Sequence, residues 1–270
     1  MRFICPKCNG KLNIEASRCL CASGHCFDKA RGGYYNLLLG NVGGVHGDNK
    51  DMVLARRAFL SGGYYEPLAK RLASLVLKFT ASGGALLDAG AGDGYYTDTI
   101  ERALFERDGE SDVSAFDISK DAVREICKKN PRISAVVATS YHIPVADGEF
   151  DTLINTFSPL ALEETRRALK SGGVFIMAIP GVMHLYDLKK VIYDTPYKNT
   201  VEDTLLEGFE LLSDEPLTYK MQLGTSEAVK NLFMMTPYAY RTGAEGRGRV
   251  GSLESLECTA DFRIFVYRRI

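Results

Sequence analysis

The sequence has almost no net charge and no long apolar run. Its 33 lysines and arginines nearly balance 34 aspartates and glutamates, so the net charge of -1 points to no particular partner. No apolar run reaches the roughly 18 residues of a membrane-spanning helix, which argues against a transmembrane protein. The first residues also lack the apolar core of a signal peptide, and we therefore expect a cytoplasmic protein with no membrane partner.

The cysteines do not suit a disulfide framework, because they are odd in number and unevenly placed. The chain has seven, and five of them fall within the first 26 residues. In a reducing compartment such a cluster indicates metal binding. The spacing C-x2-C-x12-C-x3-H is typical of a tetrahedral zinc site. The predicted ligands are Cys5, Cys8, Cys21 and His25.

Two further cysteines leave the fourth zinc ligand open. Cys26 can replace His25 and give a four-cysteine site, whereas Cys19 lies too close to Cys21 to complete the second pair comfortably. A set of buried, inert cysteines is the remaining alternative. We favour His25, partly because of the family resemblance described below. Four protein ligands leave no open position, so the zinc is expected to be structural and to supply folding energy to this short segment.

Residues 1–39 form the predicted zinc ribbon. They carry six lysines and arginines and two acids, which gives six minus two, or +4, in a nearly neutral chain. Aromatic residues are interleaved with these cations. This combination suits unpaired RNA bases, although a solvated ribbon with a small aromatic core has the same pattern. The glycine-rich residues 40–50 predict a flexible linker to a domain of residues 51–270.

The most informative motif in residues 51–270 is a glycine-rich turn after a predicted strand. Residues 86–94 are LLDAGAGDG, so two apolar residues lead into Asp88 and three glycines follow at alternate positions. Glycines allow positive φ and close approach of a nucleotide. The pattern differs from G-x-G-x-x-G, and no Lys-Ser/Thr pair follows to make a P-loop. It resembles motif I of the class I S-adenosylmethionine (SAM) methyltransferases; a glycine-rich turn of another α/β protein is the alternative.

The following residues predict strands that alternate with helices. Further strands are expected at residues 113–118, 133–137, 150–156 and 174–179. The second strand ends in Asp117, where Rossmann-like sites bind ribose hydroxyls, and Ser119 is expected to cap the next helix. Residues 138–151 resemble the loop between the third and fourth strands of the methyltransferases, with Ala138 in place of an acid that often contacts adenine. The order predicts an α/β, Rossmann-like class I methyltransferase fold with a mostly parallel, seven-stranded sheet.

Two helices are expected before the first strand, at residues 51–60 and 65–79. The first carries Arg56 and Arg57. Adjacent helix positions point about 100° apart, so at most one of these arginines packs inward while the other reaches a phosphate. We expect the ribbon and this helix to bind RNA, and residues 240–250 to form a loop rich in glycine and arginine.

Several blocks of the sequence resemble the 23S rRNA (guanine-N1)-methyltransferase family, and together they cover nearly the whole chain. They are CPKC at residues 5–8, HCFDKARGGYYNLL at 25–38, ARRAFLSGGYYEPL at 55–68, GYYT at 94–97, PGVMHL at 180–185 and MTPYA at 235–239. The resemblance implies SAM-dependent methylation of guanine N1 in a domain II hairpin of 23S rRNA, at guanosine 745 or 748 in ribosomal numbering. It also implies a homodimer whose zinc modules flank an RNA cleft. In the branch that modifies guanosine 748, the methyl group contributes to tylosin-type macrolide resistance.

The expected site residues follow the strand ends. Those expected to bind SAM are Asp88, Gly90, Gly92, Gly94, Tyr95, Tyr96, Asp117, Ile118, Thr139 and Ser140. Asn155 and Ser158 are candidates for hydrogen bonds to the guanine edge, Phe157 for stacking on the base, and His184 for a base or a phosphate contact; a structural role is the alternative for each. The guanine must be unpaired or flipped to expose N1.

Two other functions share parts of this pattern. A SAM-dependent methyltransferase of a small molecule has the same core motifs but does not need a basic zinc ribbon. A zinc-dependent RNA-binding protein with a vestigial SAM fold does not need the intact Asp88, Gly90, Gly92 and Asp117. Methylation of guanine N1 is therefore the function that the whole sequence favours.

Overall fold

The computed structural model describes residues 1–40, 49–201 and 204–270; residues 41–48 of the predicted linker lie outside the described residues. The strands are β1 (Asn13–Ile14), β2 (Arg18–Leu20), β3 (Cys26–Asp28), β4 (Tyr35–Asn36), β5 (Ala85–Ala89), β6 (Asp112–Asp117), β7 (Ser134–Val137), β8 (Phe150–Thr156), β9 (Leu169–Pro180), β10 (Phe209–Leu223) and β11 (Leu256–Arg269). The helices are α1 (Lys50–Ser61), α2 (Glu66–Phe79), α3 (Tyr95–Asp108), α4 (Lys120–Lys129), α5 (Leu162–Ala168), α6 (Tyr186–Ile192), α7 (Ser226–Met234), α8 (Tyr238–Arg241) and α9 (Ala244–Gly251). Within the described ranges, no helix is long and apolar enough to cross a membrane.

An eight-stranded sheet forms the centre of the fold, in the order β10-β11-β9-β8-β5-β6-β7-β4. The strands from β9 to β4 run parallel, whereas β11 pairs antiparallel with both β9 and β10. All five residues of β5 are buried, as expected for a central strand covered on both faces. Seven of these strands come from residues 85–269, as predicted, and the eighth, β4, comes from the ribbon.

Local capping signals determine where two of the helices begin. Ser119 caps α4 as predicted, because its hydroxyl accepts a hydrogen bond from the Ala122 amide (3.4 Å). α1 begins one residue earlier than predicted, because the side chain of Asn49 accepts from the Met52 amide (3.0 Å). Each cap thus satisfies a backbone amide in the first turn of its helix.

The structure corrects the prediction of a loop at residues 240–250, where helices α8 and α9 are found instead. Tertiary contacts hold α9 although its sequence has little apolar pattern. The guanidinium of Arg249 donates to the carbonyls of Val191 (2.7 Å) and Ile192 (2.9 Å). Gly246 allows the close approach, since a Cβ there would lie 2.5 Å from the Ile192 carbonyl oxygen.

The ribbon has its own three-stranded antiparallel sheet, β1-β2-β3, but its last strand belongs to the main sheet. β4 pairs in parallel with β7, and the Leu37 amide donates to the Val137 carbonyl (2.9 Å). Tyr35 and Leu37 are both buried there. The ribbon therefore ends as the edge strand of the sheet that carries the rest of the fold.

The beginning of the ribbon also packs into the main domain, residues 51–270. Phe3 is 1% exposed and forms a β-bridge with Val145. Arg2 donates to the carboxylates of Asp112 and Glu149. The predicted domain limits remain predictions, but the described parts of the ribbon and the main domain share one apolar core.

Truncation of Phe3 tests this shared core. Phe3→Ala should lower the free energy of unfolding by about 3–5 kcal/mol, because it removes a fully buried ring. Ile14→Ala is the matched control, since Ile14 is 56% exposed on the same ribbon, and it should change stability by less than about 0.5 kcal/mol. Chemical denaturation followed by circular dichroism measures both. An unchanged main transition in Phe3→Ala would show that the ribbon is an independent unit.

Candidate active site and metal centre

A cavity of about 480 Å³ opens at the ends of β5, β6 and β8. The carboxyl ends of parallel strands meet at one edge of a sheet, and ligands bind in the crevice where the strand order reverses. That reversal lies at β5, between β6 and β8. The cavity brings together most of the predicted site residues, namely Asp88, Gly90, Gly92, Tyr96, Asp117, Ile118, Thr139, Ser140, Phe157, Ser158 and His184.

The turn after β5 depends on positive backbone angles. Gly90 and Gly92 have φ of 78° and 57°, in the left-handed region that glycine adopts without strain. A Cβ on Gly90 would lie 2.0 Å from the Ser158 hydroxyl oxygen, so the turn and the loop after β8 can approach this closely only at a glycine. The amides of Gly90 and Ala91 donate to the Phe116 carbonyl (3.0 and 2.9 Å), which ties the turn to β6.

Asp88 places a buried carboxylate beside the cavity. The Thr97 hydroxyl donates to its Oδ2 (2.6 Å), while Oδ1 has no hydrogen-bond partner among the described residues. Burial raises the pKa of Asp88 to about 7, although the Thr97 hydrogen bond acts in the opposite direction. A buried acceptor that lines a cavity without a protein partner is suited to a cationic or N–H group of a ligand.

Asp117 holds two backbone segments at the end of β6. The Gly92 amide donates to Oδ2 (2.9 Å) and the Ser119 amide donates to Oδ1 (2.8 Å). Each carboxylate oxygen has more than one lone pair. Because the side chain is only half-buried, the same oxygens can also accept from the two neighbouring hydroxyls of a ribose.

The loop after β7 forms another wall of the cavity, with Ala138, Thr139, Ser140 and Tyr141. Ala138 is buried, and its amide donates to the Asp117 carbonyl (3.1 Å), so this position braces the loop without offering an acid. The polar groups left for an adenine amino group are those of Thr139, Ser140 and the backbone. Tyr141, which sequence analysis did not select, is 61% exposed at this wall.

Four rings, Tyr65, Tyr96, Phe157 and His184, form an aromatic wall of the cavity. The Phe157 ring lies 6.4 Å from that of Tyr65, 6.3 Å from that of Tyr96 and 6.2 Å from that of His184, between ring centres. Phe157 has φ of 59°, which is uncommon for a residue other than glycine and costs of order 1–3 kcal/mol. Its ring stays 39% exposed. A strained residue that presents an aromatic face to a cavity is typical of a binding site.

His184 is held from both sides of its ring. Its Nδ1 accepts from the Asp261 amide (3.3 Å), which leaves the hydrogen on Nε2, 3.2 Å from the Tyr65 hydroxyl. Burial lowers the pKa of His184 to about 4, so the imidazole is neutral at physiological pH. With both nitrogens engaged, His184 positions Tyr65 and offers a ring face to the cavity.

Three predicted site residues lie outside the cavity lining. Gly94 faces α4 at the start of α3. Tyr95 packs edge-on against Tyr96, with 5.2 Å between ring centres. Asn155 is buried, and its side-chain amide donates to the Pro159 carbonyl (3.4 Å). Their roles in binding stay predictions, and in the structure each supports a residue or segment that does line the cavity.

Tyr65 and Tyr141 are not the only lining residues absent from the predicted set. Arg56 on α1, Asp93 in the glycine turn and residues 235–238 between α7 and α8 all line the cavity. The MTPYA block was a visible signal for the last of these. No local pattern shows which of two adjacent arginines faces the cavity, because that depends on how α1 packs against α7.

The predicted metal ligands converge in the ribbon. The ligand atoms of the following residues lie within 4.8 Å of one another: Cys5, Cys8, Cys21 and His25. The Sγ atoms of Cys8 and Cys21 are 3.5 Å apart, and His25 Nδ1 lies 3.5 Å from Sγ of both Cys5 and Cys21. A tetrahedral zinc with bonds of about 2.0–2.3 Å separates its ligand atoms by roughly 3.5–3.8 Å. The four atoms therefore fit one structural zinc ion.

The two competing cysteines lie outside this group. Cys26 is exposed on β3. Cys19 is buried in the shared core, and burial raises the pKa of its thiol to about 11, which keeps it protonated. The geometry therefore selects His25 over Cys26 as the fourth ligand.

Comparisons with known proteins agree with both sites. Residues 3–39 match the zinc-ribbon family described as RlmA, N-terminal, and residues 86–173 match a methyltransferase domain family. A 23S rRNA (guanine-N(1)-)-methyltransferase of Micromonospora griseorubida is 32% identical over 98% of this chain and 97% of its own length. The 23S rRNA (guanine(748)-N(1))-methyltransferase of Streptomyces fradiae is 32% identical over 87% of this chain and 85% of its own length. The solved structure of a type II methyltransferase from Anaeromyxobacter dehalogenans shares the fold, with a TM-score of 0.51 and 20% identity over 73% of this chain and 95% of that one.

The fold and the two sites define a class I SAM-dependent methyltransferase that carries a structural zinc ribbon. The relatives that match it over nearly their full length narrow this class. The chain belongs to the 23S rRNA (guanine-N(1)-)-methyltransferase family.

The zinc ligands can be tested with a pair of cysteine variants. Cys8→Ser should release the metal, because the remaining ligands no longer close the tetrahedral site. Cys26→Ser should keep one zinc per chain, since its side chain is exposed outside the cluster. Elemental analysis of the purified proteins measures both. Zinc loss in Cys26→Ser would contradict the ligand set.

The role of Asp117 can be tested against a second carboxylate on the same strand. Asp117→Asn should weaken SAM binding roughly 10-fold or more, because a charged acceptor for ribose hydroxyls is lost. Asp112→Asn, at the opposite end of β6, should leave the affinity unchanged, because Asp112 pairs with Arg2. Titration calorimetry measures both dissociation constants. Equal affinities for the Asp117 variant and the wild type would remove Asp117 from the cofactor site.

Proposed function

We propose that this protein transfers a methyl group from SAM to N1 of a guanine in a domain II hairpin of 23S rRNA. The observation that carries the proposal is a SAM-type cavity with an exposed aromatic face, in a chain whose ribbon and main domain share one core. The relatives named for guanine N1 methylation match both parts of the chain together.

The aromatic wall is suited to an unstacked base. A guanine whose N1 is to react must leave its stack, and base–aromatic stacking contributes about 1–3 kcal/mol per base. Phe157 is the most exposed of the four residues of this wall, so we assign it the stacking contact. Ser158 lines the cavity next to it and has a hydroxyl for the guanine edge. The side-chain amide of Asn155 donates a hydrogen bond to the Pro159 carbonyl and so supports this loop.

Positioning is the main contribution of these residues to the reaction. SAM supplies a methyl group on a sulfonium, which is the electrophile. Asp117 would hold the ribose and Asp88 would accept from the ammonium group, while Phe157 would fix the plane of the guanine. Holding both reactants in contact replaces a bimolecular encounter, an effect that can supply about 7–11 kcal/mol of the barrier.

The proton on guanine N1 must leave as the carbon–nitrogen bond forms. His184 is poorly suited to accept it, because both ring nitrogens are engaged and its pKa is about 4. We therefore assign His184 a positioning role, in which it orients Tyr65 and packs against Phe157. We assign no described side chain as the acceptor of this proton, which would then pass to solvent.

The RNA contacts come from exposed cations of the ribbon. Arg2 is turned toward carboxylates of the main domain and is not counted among them. The exposed ribbon cations are Lys7, Lys11, Arg18, Lys29 and Arg31. Arg57 on α1 is 57% exposed by side chain and pairs with Glu125 (2.8 Å). Phosphates compete well with such surface pairs, because an exposed ion pair contributes little.

We also propose a target nucleotide, an oligomeric state and a cellular location. The target is guanosine 745 or 748, and the Streptomyces fradiae relative is named for 748. We further propose a homodimer that places two ribbons beside one RNA cleft, and action in the cytoplasm during rRNA processing. Reduced susceptibility to tylosin-type macrolides would follow if guanosine 748 is the target.

Primer extension on hairpin transcripts tests the proposal directly. The purified protein, SAM and a domain II hairpin should give one stop, because a methyl on N1 blocks base pairing. Two matched transcripts, with guanine 745 or guanine 748 replaced by adenine, identify the position, since the stop should disappear in only one. If the hairpin is not methylated although the protein binds SAM, the substrate is a small molecule instead.

A further inference from the structure

Acidic side chains outnumber basic side chains in the described lining of the cofactor cavity. Among the described residues that line it, three are carboxylates, Asp88, Asp93 and Asp117, and one is a lysine or arginine, Arg56. The imidazole of His184, which also lines the cavity, is held neutral by its surroundings. The cavity therefore offers several acceptors but a single permanent cation within the described lining.

SAM has the complementary distribution of charge. Its amino-acid end carries one carboxylate and one ammonium group, and its sulfonium carries a further positive charge. The ammonium and the ribose hydroxyls are donors and match the carboxylates of the cavity. The carboxylate needs a cationic donor, and a guanidinium binds it with two parallel hydrogen bonds.

We propose that Arg56 binds the carboxylate of SAM and so fixes the amino-acid end of the cofactor over the glycine turn. The proposal rests on the SAM dependence in the proposed function and not on the RNA substrate. It gives α1, a helix outside the glycine-rich motif, a direct part in cofactor binding.

The position of the guanidinium supports this assignment. Arg56 Nη2 donates to the Met235 carbonyl (3.2 Å), which anchors the side chain across the cavity from α1 to the end of α7. Arg56 Nη1 lies 3.8 Å from the point that a Cβ on Gly92 would occupy. The guanidinium thus lies beside the glycine turn, on the side where the turn has no side chain.

The electrostatic environment of the neighbouring acid, Asp93, supports a cation at this position. Asp93 is buried in the same turn, and burial raises its pKa, while the positive charges of Lys129 and Arg56 act in the opposite direction. Arg56 is therefore within electrostatic reach of the turn that holds the cofactor. Arg57, the next residue, points to the surface and pairs with Glu125.

This assignment separates the two arginines that sequence analysis treated together. One was expected to pack inward and the other to reach a phosphate, and the structure places Arg56 at the cavity and Arg57 at the surface. The inward residue then serves the cofactor and not the RNA.

A comparison of two ligands tests the proposal in the full-length protein. S-adenosylhomocysteine has the amino-acid end, whereas 5′-methylthioadenosine has the same nucleoside without the carboxylate or ammonium. By titration calorimetry, Arg56→Gln should weaken the binding of S-adenosylhomocysteine roughly 10- to 100-fold, as expected for the loss of hydrogen bonds between charged groups. It should change the affinity for 5′-methylthioadenosine less than about 2-fold. Arg57→Gln is the matched control and should change neither.

A second variant, Arg56→Lys, keeps the positive charge and should recover part of the affinity for S-adenosylhomocysteine. If Arg56→Gln lowers the affinity for both ligands equally, Arg56 only packs the cavity wall. If it lowers the affinity for neither, Arg56 does not contact the cofactor. Either result overturns the proposal. If the wild type binds neither ligand, SAM dependence itself fails. RNA is absent from the experiment, so its result does not depend on the proposed target.

Discussion

The pairing of β5 between β6 and β8 is the constraint on which the rest of the structure depends. Because these strands run parallel, their carboxyl ends meet at one edge, and the turns that follow them enclose a single cavity. Asp88 and Asp117 lie at the ends of two of these strands and Phe157 follows a third, yet all three line the same cavity. The glycine turn then lets the loop after β8 approach, since a Cβ on Gly90 would meet Ser158. The proposed cofactor binding and base stacking thus use one edge of one sheet.

The zinc ribbon is built into this sheet and is not an appendage to it. β4 pairs with β7, and β7 leads directly into the loop that lines the cavity at Thr139 and Ser140. The same loop is held again further along, where the Ile4 amide donates to the Pro144 carbonyl (2.8 Å). The ribbon therefore braces one wall of the cofactor cavity. A zinc ion that folds the ribbon would therefore also stabilise that wall.

The parts of the fold that sequence could predict are those with a local signal. Apolar runs that end in an acid and a turn gave the strands that carry Asp88 and Asp117, and ligand spacing gave the zinc site. β9 was expected from residue 174, but it begins at Leu169, because Leu169 already pairs with Phe150 of β8, ahead of a register shift and two glycines. The two residues of β4 have no periodicity to detect, and their pairing is long-range. The inward direction of Arg56 likewise depends on helix packing, which no short pattern records.

The most direct test is a crystal structure of the zinc-loaded protein with S-adenosylhomocysteine. We expect the ribose at Asp117, the adenine against Ile118, Thr139 and Ser140, and the sulfur directed toward Phe157. A ligand bound in the opposite orientation, with the adenine at Phe157, would contradict it. A ligand bound outside the cavity at the ends of β5, β6 and β8 would also contradict it. The strand order would then not form the cofactor site.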